Sequence, residues 1–142
     1  MNPAMKETAS QRQSTSVFRV TKDDLDDYGH VNNARYLGLF EMARWEILEK
    51  SGMGRNMVRK TKKGPVILEV TVRFSREIGE GEEITIETTC RRKDNRIFYF
   101  DQVMKNKAGD LCSKATFTAA LFDMDSRKMI RADEQWLKAF GF

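Results

Sequence analysis

The stretch that decides the fold runs from Asp24 to Arg44 and reads DLDDYGHVNNARYLGLFEMAR. Carboxylates crowd its start, a glycine follows at position 29, and a helical pattern then continues to a stop at Ser51 and Gly52. At about 100° per residue, the apolar side chains of this helix point in almost every direction. A helix that is apolar all round is normally buried. We therefore expect the rest of the domain to wrap around it.

The composition fits one soluble domain with an ordinary core. The chain has 142 residues, a formal net charge of +4 and a pI near 9.1. This charge does not indicate nucleic acid, and the basic run at residues 60–63 fits a solvated loop. No stretch is apolar for the roughly 20 residues that cross a bilayer, so we expect no membrane span. The polar N-terminus lacks the apolar segment of a secretory signal, and we expect a cytoplasmic protein.

The cysteines give no sign of a metal or a disulfide framework. Cys90 and Cys112 fall inside predicted strands and lack the spacing of metal ligands. The sequence also has no phosphate-binding glycine loop, dinucleotide fingerprint or serine nucleophile elbow. We therefore expect two reduced cysteines in or near the core, no metal and no nucleotide cofactor.

The order of elements follows from the change in apolar period along the chain. We expect a flexible polar tail over residues 1–14 and a single domain over residues 15–142. A short strand near residues 17–20 precedes the long helix. From Pro65 onward the period changes to two, which predicts four more strands that end near Leu121. A short helix is predicted near the C-terminus.

These elements predict an α+β fold, with one long central helix wrapped by a curved antiparallel sheet of five strands. The turns between the last four strands are short, which is typical of an antiparallel meander. An open sheet has exposed edges, and proteins usually cover or pair them. Pairing two such sheets edge to edge would give a homodimer.

The deciding stretch also carries a specific pattern, formed by Asp24 and Asp26, Gly29-His30-Val31-Asn32-Asn33, Tyr36, and Phe40-Glu41 with Ala43-Arg44. This pattern resembles the signature of hotdog-fold acyl thioesterases, in the branch of 4-hydroxybenzoyl-CoA thioesterase and its YbgC-like relatives. The resemblance implies a hotdog fold that hydrolyses an acyl-CoA or acyl-carrier-protein thioester to a free acid and a thiol. Coenzyme A would enter only as part of the substrate. The site would lie at the interface of a homodimer, or of a dimer within a homotetramer.

A carboxylate held just before a helix start suits this chemistry. It can attack a thioester carbonyl or activate water, while the free N–H groups of the helix hold the developing oxyanion. The resemblance gives the first role to Asp26, as nucleophile or general base, and the second to the backbone N–H of Asn33, with Asn32 beside it. The competing interpretation is that Asp26 only caps the helix.

Two neighbouring residues complete the loop. Gly29 fits a backbone requirement, either a positive φ or a close approach to substrate. His30 is the only histidine, and its place in the signature favours a structural role. In other hotdog enzymes, the hydratases and dehydratases, a histidine does the chemistry, so His30 keeps that alternative open. A further alternative is a protein that binds acyl thioesters without catalysis.

The remaining candidates lie further along the chain. Glu41 falls in an apolar sector of the helix, where a carboxylate needs a partner, and Arg44 is three residues on. Glu41 is therefore a second catalytic candidate, with a structural pair as the favoured interpretation. Tyr36 lines an acyl channel or fills the core. A cationic mouth for coenzyme A or a carrier arm would draw on charged residues near strand ends, with candidates Arg73, Arg76 and Arg96.

Overall fold

The computed structural model describes residues 7–10 and 12–142. Its strands are β1 (Thr8–Ala9), β2 (Ser14–Arg19), β3 (Lys63–Phe74), β4 (Glu83–Arg92), β5 (Ile97–Asn106), β6 (Leu111–Asp123) and β7 (Lys128–Ile130). Its helices are α1 (Asn33–Lys50), α2 (Arg55–Thr61) and α3 (Glu134–Ala139), with a 3₁₀ turn at Lys22–Asp24 before α1. The predicted α+β class, with one long helix followed by an antiparallel meander, is confirmed. None of the described helices is long and apolar enough to cross a membrane.

All the strands belong to one antiparallel sheet. Its central order is β4-β5-β6-β3, with β1 and β2 both paired to the other side of β4 and β7 paired to the end of β6. The five long strands are those predicted from the apolar period. The two short strands, of two and three residues, are too brief to show a period and were missed.

The predicted flexible tail over residues 1–14 needs correction where the structure describes it. Thr8 and Ala9 pair with Arg92 and Arg91 of β4, and β2 already begins at Ser14. These residues are held by backbone hydrogen bonds to a strand edge, which a polar side-chain pattern does not reveal. Residues 1–6 and 11, also part of the predicted tail, lie outside the described residues.

Helix α1 buries one side against the sheet. Phe40 and Ala43 are fully buried, and the ring of Phe40 packs edge-on against Phe117 of β6, with 5.9 Å between centroids. Each large apolar side chain buried in this way contributes about 1.5–3 kcal/mol to folding. The opposite side is open, and Met42 remains 41% exposed. The expectation that α1 is buried all round is therefore wrong for this side, because the sheet of one chain covers the helix from one direction only.

Among the strands that the structure describes, β3 pairs with β6 alone and so forms an exposed edge of the sheet. A β-bulge between Ile67 and Glu69 leaves Leu68 without a register partner, which interrupts the simple alternation expected from the sequence. Apolar side chains of the strand are unusually open for a sheet, with Leu68 51% exposed and Phe74 48% exposed. Within the described residues, an unpaired apolar strand edge therefore runs alongside α1.

Candidate active site

Asp24 anchors the loop that leads into α1. Its side chain is only 5% exposed, and it accepts hydrogen bonds from the backbone N–H of Thr21 at 2.8 Å and from Nε of Arg35 at 2.5 Å. Its backbone carbonyl accepts the N–H of Asn32 at 2.9 Å. Burial raises the pKa of the Asp24 carboxyl, but the hydrogen bonds from Thr21 and the charge of Arg35 outweigh it, so the pKa is lowered. A charged Asp24 therefore fixes the loop to the first turn of the helix.

Asp26 closes a tight turn within this loop. One carboxylate oxygen, Oδ1, accepts the backbone N–H of Tyr28 at 2.9 Å and that of His30 at 3.3 Å. The backbone N–H of Asp26 also donates to the carbonyl of His30 at 2.8 Å. Gly29 makes the turn possible with a φ of +82°, and space around it is open, so the positive φ is its requirement. The other oxygen of Asp26, Oδ2, has no hydrogen-bond partner among residues 7–10 and 12–142.

The cap of α1 is Asn32, whose side-chain oxygen accepts the N–H of Ala34 at 2.9 Å. The interpretation of Asp26 as a helix cap is therefore wrong. The carbonyl of Asn32 takes the N–H of Arg35 at 2.9 Å. Asn33, the first helical residue, keeps a backbone N–H with no hydrogen-bond partner in the described part of the chain. One donor at the positive end of α1 is thus left available.

These residues line one open cleft of about 660 Å³ between the start of α1 and the end of β3. Six of the predicted site residues meet there, namely Asp26, His30, Asn32, Asn33, Tyr36 and Arg76, and Gly29 lies in the turn beside them. The cleft also contains Phe74, Ser75 and Glu77, which the sequence did not single out. In the sequence, Phe74 ends an ordinary strand and the other two follow it, and only the pairing of β3 brings them to the helix.

His30 contacts one of the missed residues. Its Nε2 lies 3.2 Å from a carboxylate oxygen of Glu77, and its side chain is 40% exposed. Its backbone forms an isolated bridge to Gly79. The histidine therefore has a structural contact through its backbone and a contact with the Glu77 carboxylate through its ring. Within the described residues, no group of three His, Cys, Asp or Glu side chains is placed to hold a metal ion.

Comparison with known proteins identifies the family to which this fold and cleft belong. The family model described as the thioesterase-like superfamily matches residues 20–140. The chain belongs to this superfamily. The protein is thus a thioester hydrolase by family, in agreement with the prediction from its sequence.

Individual relatives give the same result. The chain is 28% identical over 107 residues to the long-chain acyl-CoA thioesterase FadM of Escherichia coli (strain K12), covering 75% of this chain and 80% of FadM. It is also 28% identical over 84 residues to the chloroplastic acyl-acyl carrier protein thioesterase ATL3 of Arabidopsis thaliana, covering 59% of this chain but only 44% of ATL3. The solved structure of Slr0204, a 1,4-dihydroxy-2-naphthoyl-CoA thioesterase from Synechocystis, superposes with a TM-score of 0.84 at 16% identity, covering 91% and 96% of the two chains. The predicted hotdog fold is confirmed.

Tyr36 belongs both to the core and to the cleft. It is 4% exposed, and its ring packs edge-on against Phe74 with 5.0 Å between centroids. Burial raises the pKa of the Tyr36 hydroxyl, and the nearby charge of Asp26 raises it further. The hydroxyl therefore stays protonated and neutral, so this wall of the cleft adds no negative charge beside Asp26.

Three of the predicted site residues lie elsewhere. Arg96 lies at a separate cavity of about 340 Å³ with Asp94 and Arg131. Arg73 lies in a groove of about 540 Å³ that is lined by residues of β3 and β6. Glu41 is exposed beside a cavity of about 60 Å³, further along α1. The cleft therefore forms without any of them.

The predicted pairing of Glu41 with Arg44 is wrong. Arg44 donates instead to the side-chain oxygen of Gln102 at 2.9 Å and lies 3.9 Å above the centre of the Phe117 ring. Burial lowers the pKa of Arg44 to about 10, although the charge of Glu41 acts in the other direction. The sequence placed Glu41 in an apolar sector of α1, but Glu41 is exposed on the side of the helix that the sheet does not cover. The buried Arg44 donates to Gln102 of β5, and helical spacing cannot indicate a contact with another element.

Proposed function

We propose that this chain hydrolyses acyl-CoA thioesters at the cleft between α1 and β3. The observation that carries the proposal is that Asp26 and the start of α1 line the same cleft. Two backbone N–H groups orient one oxygen of Asp26. Within the part of the chain that the structure describes, its second oxygen and the backbone N–H of Asn33 have no hydrogen-bond partner, and both residues line the same cleft. A directed carboxylate and an available N–H donor are the two parts that acyl transfer requires.

The chemistry divides between these two groups. The thioester carbonyl would accept a hydrogen bond from the Asn33 N–H, which stabilises the negative charge that develops on its oxygen. Asp26 would either attack the carbonyl carbon or remove a proton from an attacking water. In both routes the C–S bond breaks, water supplies the new C–O bond of the acid, and the sulfur leaves as the thiol with a proton. An acyl-enzyme intermediate forms only in the first route.

The decisive experiment compares Asp26→Asn with Asp27→Asn. The second carboxylate is the next residue and lines the same cleft, but no hydrogen bond orients it in the described structure. Replacing a nucleophile or general base should reduce kcat by at least about 100-fold. The Asp27 variant should stay within about threefold, and both variants should keep the melting temperature of the parent. Equal activity of the two variants toward a good acyl-CoA would refute the assignment.

A second candidate function has one observation in its favour. The contact between His30 and Glu77 within the cleft could move a proton, as the hydration of an enoyl thioester requires. Thiol release and water addition are separate products that can be followed in the same reaction. Hydration of an enoyl-CoA without release of thiol would favour this candidate over hydrolysis.

We also propose that the chain acts as a homodimer formed through the edge of β3. In the described structure this strand of 12 residues pairs on one side only, and it exposes apolar side chains, among them Ile67 at 43% and Val70 at 36%. An open, apolar edge of this length favours pairing with another strand. A partner joined there would approach the cleft, because Phe74 at the end of β3 lines it.

A further inference from the structure

A buried cation without an anionic partner lies in the second half of α1. Arg44 is only 9% exposed, and among residues 7–10 and 12–142 it forms no ion pair. The rest of the chain, residues 1–6 and 11, contains no Asp or Glu. The carboxylate of Glu41 affects the pKa of Arg44 but is itself exposed. Buried charges are normally paired, because an unpaired one costs folding free energy. The fold alone therefore gives no reason for a charge at this position.

The neighbours of Arg44 hold its guanidinium in one orientation. Nη1 donates to the side-chain oxygen of Gln102 at 2.9 Å. The amide nitrogen of Gln102 donates in turn to the carbonyl of Phe40 at 3.1 Å and to the hydroxyl of Thr88 at 3.0 Å, which keeps the amide oxygen directed at Arg44. The ring of Phe117 covers one face of the guanidinium, 3.9 Å from the ring centre. All these groups are neutral, so they position the cation without neutralising it.

The guanidinium opens on a small cavity of about 60 Å³, here called the Arg44 cavity, which is lined by Arg44 and Glu41 of α1 and by Pro65, Ile67 and Phe100 of the sheet, among others. In the part of the chain that the structure describes, every fully buried side-chain nitrogen or oxygen has a hydrogen-bond partner. Nε and Nη2 of Arg44 have none there, so they retain access to this cavity. A space of this size admits a few waters or one carboxylate.

The two available nitrogens match a carboxylate in geometry as well as in charge. Nε and Nη2 form one edge of the planar guanidinium, and their N–H groups point the same way. Arg91 shows this arrangement within the same chain, because its Nε and Nη2 donate to the two oxygens of Asp101 at 2.6 Å and 3.1 Å. Such bidentate pairs are among the strongest hydrogen bonds in proteins. The Arg44 cavity therefore has the donors for one carboxylate and holds no protein carboxylate against them.

The Arg44 cavity and the Asp26 cleft lie along the same side of α1. Arg44 comes about three helical turns after Asn33, so the two residues share a side and are roughly 16 Å apart along the helix axis. The strand opposite also runs from one cavity to the other. The β-bulge in β3 shifts its alternation, so that Ile67 beside Arg44 falls on the same face of the strand as Phe74 in the cleft. An extended chain that lies between α1 and β3 can therefore reach both cavities.

We propose that Arg44 selects acyl groups that carry a carboxylate at the end remote from the thioester. This inference rests on the proposed hydrolysis of acyl thioesters. With the thioester carbonyl at the Asn33 N–H, the far end of an extended acyl chain would lie at the Arg44 cavity. A carboxylate there would accept Nε and Nη2 and supply the missing anion, whereas a terminal methyl group would leave the cation unpaired. The preferred substrate class is thus the mono-thioester of a dicarboxylic acid, with a chain roughly 16 Å long.

The test compares an ω-carboxyacyl-CoA with the plain acyl-CoA of the same chain length, as a ratio of kcat/KM values. The parent should favour the carboxylated substrate at least about tenfold, as expected for hydrogen bonds between charged groups. Arg44→Met keeps most of the buried volume and should lower this ratio at least about tenfold. Arg44→Lys keeps the charge but loses the planar pair of donors, so its ratio should be intermediate. The matched control Arg59→Met removes an exposed arginine of α2 and should leave the ratio unchanged.

A second variant keeps the test valid if Arg44→Met does not fold. Glu41 is exposed beside the same cavity, and its charge opposes an incoming carboxylate. Glu41→Gln should fold like the parent and raise the ratio by up to about twofold, a small gain because solvent screens an exposed charge. A ratio that falls in Glu41→Gln would contradict the proposed site.

A binding measurement separates this inference from the proposed reaction. Two coenzyme A thioethers that cannot be hydrolysed, one with an ω-carboxyalkyl chain and one with a plain alkyl chain of matched length, would be titrated into the parent by calorimetry. The carboxylated thioether should bind at least about tenfold more tightly. An inactive parent with this preference would refute the hydrolase and support the Arg44 site. Equal binding of the two thioethers would overturn the site. So would an Arg44→Met variant that keeps the parent's preference and changes only the melting temperature or the dimer dissociation constant.

Discussion

Replacing Asp24 with alanine should cost about 2–3 kcal/mol of folding free energy. The side chain is 5% exposed, and its removal leaves the N–H of Thr21 and the guanidinium of Arg35 without their acceptor. Removing one partner of a buried ion pair typically costs about 3–5 kcal/mol. The lower figure applies here because Arg35 is 46% exposed and can regain water. For a chain of this size, the melting temperature should fall by roughly 5–10 °C.

The control is Asp23→Ala, which removes an exposed carboxylate from the same 3₁₀ turn. It should change the free energy of unfolding by no more than about 0.5 kcal/mol, as surface substitutions usually do. Urea titration followed by circular dichroism would measure both variants under identical conditions. If Asp24→Ala were no less stable than Asp23→Ala, the loop anchor would not have the role that its contacts indicate.

The dependence on pH gives an independent check on the same pair. The hydrogen bonds and the charge of Arg35 lower the pKa of Asp24 in the folded state against the opposing effect of burial. A carboxyl with a lowered folded pKa contributes stability above its unfolded pKa, which is about 3.9, and loses it as the pH falls through the folded value. The stability difference between the parent and Asp24→Asn should therefore be constant near neutrality and shrink below about pH 4. A difference that grows with acid would contradict this assignment.

Three further predictions concern the cleft and the edge. If the role of His30 is structural, His30→Gln should retain thioester hydrolysis within about tenfold of the parent. If the protein is a hydratase, the same variant should add water to an enoyl-CoA at least about 100-fold more slowly. Val70→Lys should raise the dissociation constant of the β3-paired dimer by at least about tenfold, measured by analytical ultracentrifugation, because two copies would bring like charges together. Glu41→Gln should leave kcat/KM within about twofold, because Glu41 is exposed and lies outside the cleft.

The parts of the site that are local in sequence could be predicted. Turn chemistry and helix signals predict the turn at Gly29 and the helix that follows it, whereas the resemblance to the thioesterase family singled out Asp26 and Asn33. All of these lie within eight residues. The opposite wall could not be predicted. Phe74 and Glu77 reach the cleft through the pairing of β3 with β6. The sequence of β3 does not indicate which helix its last residue contacts.

The errors along α1 and β3 have related causes. Glu41 was placed in the apolar sector because hydrophobic side chains are scattered around the helix, but the sheet covers only one side. In β3, a bulge near Leu68 shifts the alternation, and a period of two cannot indicate where a strand gains an extra residue. Both features leave apolar surface exposed, on Met42 of α1 and along β3. A single chain has too few layers to cover them, which is consistent with the proposed dimer.

Asp24 and Asp26 show how one local sequence can give two carboxylates different tasks. Asp24 is buried, and its oxygens accept Thr21 and Arg35, so it is committed to holding the loop on the helix. Asp26 is two residues later, and its Oδ1 is directed by two amides of the turn while Oδ2 is unpaired in the described structure. If Asp24 holds the loop in place and Asp26 takes part in hydrolysis from that loop, loss of Asp24 should reduce stability and activity together. The variant Asp26→Asn keeps the Oδ1 acceptor of the turn and should reduce activity alone. The Asp24 and Asp26 variants can therefore be told apart by melting temperature before any substrate is added.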